Sequence, residues 1–389
     1  MQKKSIFSRD FWLISLINFF EKCIYYCLIV SIGSYCLHQF NASTTIIGLV
    51  VGLTVIGVLI IRMLSSFLMH HFDSKKLLLI GTICLLPILV SYMFVPNLLI
   101  LIFIRFIHGL ASGLISSITN TSVVLLFDKK NQGEGIGYFS LSTIVAAAIG
   151  PFLGLFIVNT FNFQVLFILL IILGIIVILC SLPINKERIK VKVQLDENIS
   201  IDHFIEKKSV PVSCIGMIVC LGYAFLQSYL SFYAKEVNVL TYASYFFLVY
   251  SIFVFISRPI TGKVVDRYKE NYVIYPSIIL FALGLLILYF TNNGIVLLIS
   301  AAVIGLGFGN FQSTLQIIAA KIVIKERLSH SMSTYFILFD IGMGFGPLLL
   351  GIFIPVIGYH VMILALIVVA FIGLILYYLV HGRLVNKIY

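Results

Sequence analysis

Charge is scarce in this chain. Only 11% of its 389 residues are Asp, Glu, Lys or Arg, with 15 acids against 26 bases. The charged share of a water-soluble domain is about 25%, so a chain that is 61% hydrophobic with a mean hydropathy of +1.12 cannot cover a soluble surface. Other chemistries lack their residues too. The seven cysteines (Cys23, Cys27, Cys36, Cys84, Cys180, Cys214 and Cys220) sit in apolar runs without CxxC spacing. They read as small buried hydrophobes, and neither a metal site nor a cofactor is expected. A Walker-type loop is missing, so no direct ATP drive is visible. Lys3, Lys4 and the apolar run after them look superficially like a signal peptide. That run is too long and no small-x-small cleavage site follows it, so it is expected to be retained as the first helix. A long polar stretch occurs once, at 184–209, with six basic and five acidic side chains. It reads as a solvated linker.

What is present is apolar sequence in spans of membrane length. A helix crosses about 30 Å of hydrocarbon at 1.5 Å per residue. Such runs fall at 11–37, 46–69, 77–95, 97–126, 134–158, 163–183, 210–234, 242–265, 272–290, 294–322, 331–356 and 359–380. The expected fold is an all-α integral membrane protein of twelve transmembrane helices. It divides into a six-helix bundle at 1–183, a cytoplasmic linker at 184–209 and a second six-helix bundle at 210–389. With the N-terminus inside, 21 of the 26 Lys and Arg fall in cytoplasmic segments, four lie within helices, and the outer loops hold only Lys235. The positive-inside rule then puts both termini in the cytoplasm, and the formal charge of +11 needs no nucleic-acid partner.

One offset recurs along the chain. Gly150-Pro151 returns as Gly346-Pro347, Arg62 as Arg258, Gly109 as Gly305 and Gly113 as Gly309, each 196 residues on. Glycine and proline deep in an apolar helix mark close packing and bending. The chain is therefore two halves of one design.

Particular motifs carry a resemblance. Arg258-Pro-Ile-Thr-Gly262-Lys-Val-Val-Asp266-Arg267 ends the eighth span, and its counterpart, which begins at Arg62, has Ser66 for the glycine and His70-His71 for the Asp-Arg pair. Arg105-Phe-Ile-His108-Gly109 in the fourth span is similar to an Arg-x-x-Gln-Gly signature, and Gly150-Pro151-Phe-Leu-Gly154 to a Gly-Pro-x-x-Gly motif. Together these resemble the major facilitator superfamily, and the helix 5 motif resembles that of its proton-coupled exporters. The resemblance implies that Asp266 and Arg267 bridge helix ends at a cytoplasmic gate. Arg62, Arg258, Gly262, Gly150, Pro151, Gly346 and Pro347 are assigned to gating with them. Small residues at Gly150 are expected to press the fifth span against a partner in the other half, the eighth span.

The deep polar residues suggest the site. Asn18, Glu21, Lys22 and Tyr25 lie at i, i+3, i+4 and i+7, one stripe of a helix, with Glu21 about 15 Å from the cytoplasmic end. The alternative reading is that Glu21 and Lys22 simply neutralise each other, but adjacent helical residues point about 100° apart. Arg105 stands about 13 Å in from the outer end and needs a carboxylate partner; the deep carboxylates are Glu21 and Asp340. They come from opposite halves at matching depth, where a two-half carrier holds its site. Glu21, Asp340 and Arg105 are the candidates for proton coupling. Asn18, Lys22, Tyr25, His108, Gln227, Asn310 and Tyr335 are the candidates for substrate contact. The alternative for His108 is a bond to a neighbouring helix, and for Asp340 a bond to backbone freed near Pro347. The glycine-rich run Gly305–Gly309 reads as a packing surface.

The expectation is a monomeric secondary transporter, not an enzyme, in a cell membrane. It exchanges protons for a small amphipathic molecule, drug-like or carboxylate-bearing. Two acids and two bases at mid-depth keep an amino-carboxylate metallophore beside drugs as cargo. Proton-coupled uptake and a non-transporting receptor are the alternatives. Richness in Ile, Lys and Asn suggests an AT-rich bacterial genome.

Overall fold

The computed structural model describes residues 8–127, 132–186, 189, 205–324 and 327–383, and every regular element among them is a helix. In chain order these are α1 (Arg9–Phe40), α2 (Thr44–His71), α3 (Ser74–Ser91), α4 (Leu98–Leu126), α5 (Gln132–Thr160), α6 (Phe163–Ser181), α7 (Val210–Glu236), α8 (Leu240–Arg267), α9 (Asn271–Tyr289) and α10 (Gly294–Lys321). A final run, Leu328–Tyr377, has 50 residues, about 75 Å of helix. It is broken at Gly358, whose φ of 77° and ψ of 167° suit a residue without Cβ. The run is therefore two spans, α11 (328–357) and α12 (359–377). By length and hydropathy alone they count as one of eleven; with the break there are twelve among the described residues.

The chain divides into two compact units, one of 1–31 and 53–198, the other of 32–52 and 199–389. The outer parts of α1 and α2 thus belong to the second unit. The 196-residue offset holds for contacts as well as for sequence. In the first unit, a Cβ on Gly109 would meet the Thr54 carbonyl and one on Gly113 would meet Val58; in the second, Gly305 faces the Tyr250 carbonyl and Gly309 faces Val254. Positions 54 and 250, and 58 and 254, are themselves 196 apart. The N-caps repeat likewise. Asn97 accepts from the amide of Ile100 at 3.0 Å, and Asn293, 196 residues later, accepts from Val296 at 3.0 Å. Each satisfies an otherwise unpaired first-turn donor.

Each unit has its own core. Leu85, Leu101, Ile115, Ile118 and Leu170 are buried in the first. In the second, Phe308 stacks on Tyr223 at 4.6 Å and meets Phe281 at 5.2 Å. The glycine-rich run at Gly305–Gly309 is a π-helical turn inside α10, packed on α8 and α9 as a close-packing surface. Outward faces are apolar. Ile168, Ile172, Ile175 and Leu179 form an exposed stripe on α6, the inverse of a soluble helix and the pattern lipid requires.

Each unit also has a polar tie near one set of its helix ends. In the first, Asp73 caps α3 by accepting from the amides of Lys75 (2.9 Å) and Lys76 (3.2 Å), and pairs with Lys186 at 2.8 Å. Lys75 Nζ donates to the carbonyls of Leu182 and Ile184 just past α6. In the second, Glu270 before α9 meets His381 Nε2 at 3.1 Å and Lys321 at 4.0 Å. Asn271 donates to the Gly382 carbonyl at 2.9 Å and accepts from Tyr377 at 2.6 Å.

Candidate functional site

In the first unit the polar stripe on α1 faces α5. Asn18 Nδ2 donates to Ser142 Oγ at 2.7 Å and Thr143 Oγ1 at 2.8 Å. Glu21 is 1% exposed, and Lys22 Nζ lies 3.0 Å from its Oε2. The expected divergence of these neighbours is therefore corrected. The long lysine stem swings back across the 100° between them, because burying either charge alone would cost several kcal/mol. The same ammonium sits 5.3 Å above the Tyr25 ring, within range of a cation–π contact. Arg105 on α4 is wholly buried. One turn on, His108 Nδ1 meets the Tyr92 hydroxyl at 3.1 Å, and Tyr92 stacks on Phe167 of α6 at 5.7 Å. One His108 nitrogen is thus committed to a neighbouring helix.

Gly150 and Gly154 face α1. A Cβ on Gly150 would lie 3.0 Å from the Cys23 carbonyl, and one on Gly154 would lie 2.6 Å from that of Cys27. The expected partner across the halves is thus corrected: the tight neighbour of this motif is α1 within its own unit. Small residues every fourth position remove the bulk that would hold two backbones apart. Pro151 is buried beside them.

In the second unit Gly342 and Gly346 of α11 face α7 in the corresponding manner, against Met217 and Ala224. The carbonyls of Gly344 and Pro347 turn to another neighbour, Gly52 and Gly48 of α2. The Tyr229 hydroxyl reaches the Pro347 carbonyl at 2.7 Å and the Thr44 carbonyl at 3.1 Å, while Thr45 donates to the Gly351 carbonyl at 2.9 Å. Tyr229 joins three helices, yet as one tyrosine among twenty it carries no sequence signal.

Asp340 on α11 is half-buried. It lies within electrostatic range of Cys220 on α7, and both it and Arg258 on α8 lie within such range of Tyr335. Tyr335 donates to the Gln312 carbonyl at 2.9 Å, so its hydroxyl ties α11 to α10. Asn310 is also spent on the protein: its Nδ2 donates to Ser257 Oγ (2.9 Å) and the Leu306 carbonyl (2.7 Å), and its Oδ1 accepts from Thr261 (2.9 Å). Gln227 is buried on α7.

The residues expected to gate are less uniform. Arg62 and Arg258 are half-buried and Arg267 is exposed at the end of α8. A Cβ on Gly262 would meet nothing within 4 Å, so no contact within its unit demands glycine there. The side chain of Asp266 lies outside the described residues. No cluster of His, Cys, Asp and Glu suited to a metal occurs among the described residues.

Comparison with known proteins agrees with this architecture. A profile of the Major Facilitator Superfamily matches residues 14–270 and 212–386. Over 326 residues the chain is 21% identical to the uncharacterized MFS-type transporter MJ1560 of Methanocaldococcus jannaschii, an alignment covering 82% of this chain and 84% of that one. It is 28% identical over 156 residues to the uncharacterized MFS-type transporter YhcA of Bacillus subtilis, covering 40% of this chain but 29% of that protein. The multi-drug resistance efflux pump PmrA of Streptococcus pneumoniae is 24% identical over 149 residues, 36% of this chain and 37% of the pump. The crystal structure of the nucleoside transporter NupG matches with a TM-score of 0.75 at 15% identity, covering 95% of this chain and 99% of that chain. That likeness speaks for the fold alone. With a profile that matches most of its length and a twelve-helix repeat beneath it, the chain belongs to the Major Facilitator Superfamily, as a multi-pass membrane transporter rather than an enzyme.

Proposed function

We propose that this transporter exports a small amphipathic molecule by proton antiport, with Asp340 as the group that exchanges the proton. The contrast between the two deep carboxylates carries the reading. Glu21 is sealed from water and held by Lys22, whereas Asp340 is half-exposed near Tyr335. A group that takes a proton from one side of a membrane and yields it to the other must be reached by water, and Asp340 is the accessible one. Protonation removes its charge, and cargo binding competes with that state, so a proton gradient resets the carrier. The efflux function in the name of the Streptococcus relative favours export.

Lys22 and Tyr25 in the first unit, and Gln227 in the second, are the proposed cargo contacts; wholly buried Arg105 is proposed to set the charge around Glu21, and His108, Asn310, Tyr335 and Asn18 hold the helices of their own units. Arg62, Arg258, Gly262, Asp266, Arg267 and the two Gly-Pro pairs are assigned to gating. The protein is proposed to act as a monomer in a bacterial cell membrane with both termini inside. Two acids and two bases at mid-depth, rather than an acidic excess, keep a carboxylate-bearing cargo, an amino-carboxylate metallophore included, beside drugs.

Proteoliposomes with an imposed pH gradient test this, using a dye, a lipophilic cation and a carboxylate-rich chelator as cargo. Gradient-driven movement lost in Asp340→Asn supports the reading. Movement that survives that change, or that follows cargo and proton in the same direction, sinks it.

A further inference from the structure

One face of α8 makes no contact within the unit, and of its residues only Arg267 has a role proposed already, in gating. Ser257 and Thr261 bond to Asn310 on α10, and Arg258 acts on Tyr335 of α11, so that side of the helix points inward. The opposite side is an exposed line of Ile252 (46%), Ile256 (58%) and Ile260 (62%), followed by exposed Lys263 and Arg267. From Ile252 to Ile260 is about 12 Å of helix, close to the depth of one leaflet's hydrocarbon, about 15 Å. The line ends in a shallow groove of about 230 Å³ lined by Pro259, Ile260, Lys263, Val264, Arg267 and Tyr268. A second hollow of about 280 Å³ follows, lined by Lys269, Asn271, Tyr272 and Tyr275. Tyr268 and Tyr272 are more than 60% exposed, with rings 6.0 Å apart.

We propose that this face of α8 is a site for one anionic phospholipid of the cytoplasmic leaflet, its acyl chain along Ile252–Ile260 and its phosphate at Lys263 and Arg267. The order of groups along the helix is that of the lipid: apolar for one leaflet, then cationic, then aromatic at headgroup level. The long Lys and Arg stems extend along apolar surface and put their charge at the interface. Basic residues at the cytoplasmic surface attract anionic headgroups. The nearby Glu270 is buried and engaged with His381. This site is independent of cargo and of proton coupling.

The full-length protein would be exchanged into nanodiscs of mixed phosphatidylcholine and phosphatidylglycerol, and the lipids retained after detergent extraction counted by native mass spectrometry. One phosphatidylglycerol should be retained preferentially, by about fivefold for each cation engaged. Lys263→Gln should lose part of that preference and Lys263→Gln/Arg267→Gln the rest, while Lys207→Gln/Lys208→Gln in another cytoplasmic segment should keep it. Equal retention of the two lipids by the unaltered protein overturns the proposal. So does an equal loss in the control variant, which would signify charge in general. Displacement by millimolar inorganic phosphate would also overturn it, since the site would then hold phosphate without an acyl chain. None of these outcomes depends on transport.

Discussion

The two units use one scaffold and different chemistry. Gly109 on Thr54 and Gly305 on Tyr250 are the same helix crossing, 196 residues apart, yet the polar groups set on that crossing diverge. The first unit seals a carboxylate against a lysine, and the second leaves Asp340 half-exposed. Position 33 in α1 is glycine, and its counterpart 229 is the tyrosine that joins α7, α11 and α2. The polar ties at the helix ends differ too. Asp73–Lys186 and Glu270–His381 lie at nearly corresponding places, but the first carboxylate meets an ammonium and the second an imidazole. Apolar packing at glycines tolerates little change without steric cost, so the duplicated halves keep it. Polar groups are where they have separated.

The largest expected effect separates the two carboxylates. Asp340→Asn should bring gradient-driven transport to the level of empty liposomes. Glu21→Gln should act chiefly on stability, costing about 3 kcal/mol because it leaves the Lys22 charge without its partner; thermal unfolding in detergent reads this. Gradient-driven transport that survives Asp340→Asn would erase the distinction.

The shared scaffold should fail symmetrically. Gly109→Val and Gly305→Val each push a branched side chain against a facing carbonyl, at about 1–3 kcal/mol. Gly262→Ala should stay within about 0.5 kcal/mol, since open space lies beyond it. A large loss from only one of the first two would show that the crossings are not equivalent.

The ties predict a shared response to acid. The hydrogen bond from Lys186, helped by the capping amides, holds the Asp73 carboxyl below its usual range, and the bond from His381 does the same for Glu270. A depressed carboxylate contributes stability that is present above its ordinary value and lost as pH falls through the lower folded value, so both ties weaken only in acid. Protection from hydrogen exchange at 182–186 and at 378–383 should therefore fall together as pH drops below the ordinary carboxylate range. A loss at one tie alone would count against this. The smallest effect is Tyr229→Phe, expected to cost about 1 kcal/mol for its hydrogen bonds, with no counterpart at Gly33.

Much of this was legible in sequence. Apolar run length is a local property, so the twelve spans could be read directly, and the repeat offset carried through to contacts. Asn310 and Tyr335 were legible as buried polar residues, but not as residues already satisfied by neighbouring helices. Gly150 was legible as a close-packing position, but not as one facing Cys23 of α1. Gly262 and Tyr229 erred in opposite directions: a motif glycine without a contact in its unit, and an unremarked tyrosine with two backbone partners.

The sequence by itself determined the membrane solvent and the duplication, because these follow from composition and spacing along the chain, and its motifs carried the resemblance to the family. Only the tertiary structure decided that Lys22 answers Glu21, that α5 packs on α1, and that Asp340 is less buried than Glu21. Those outcomes depend on which side chains from distant segments come within about 3 Å of each other, a distance no spacing in the sequence records.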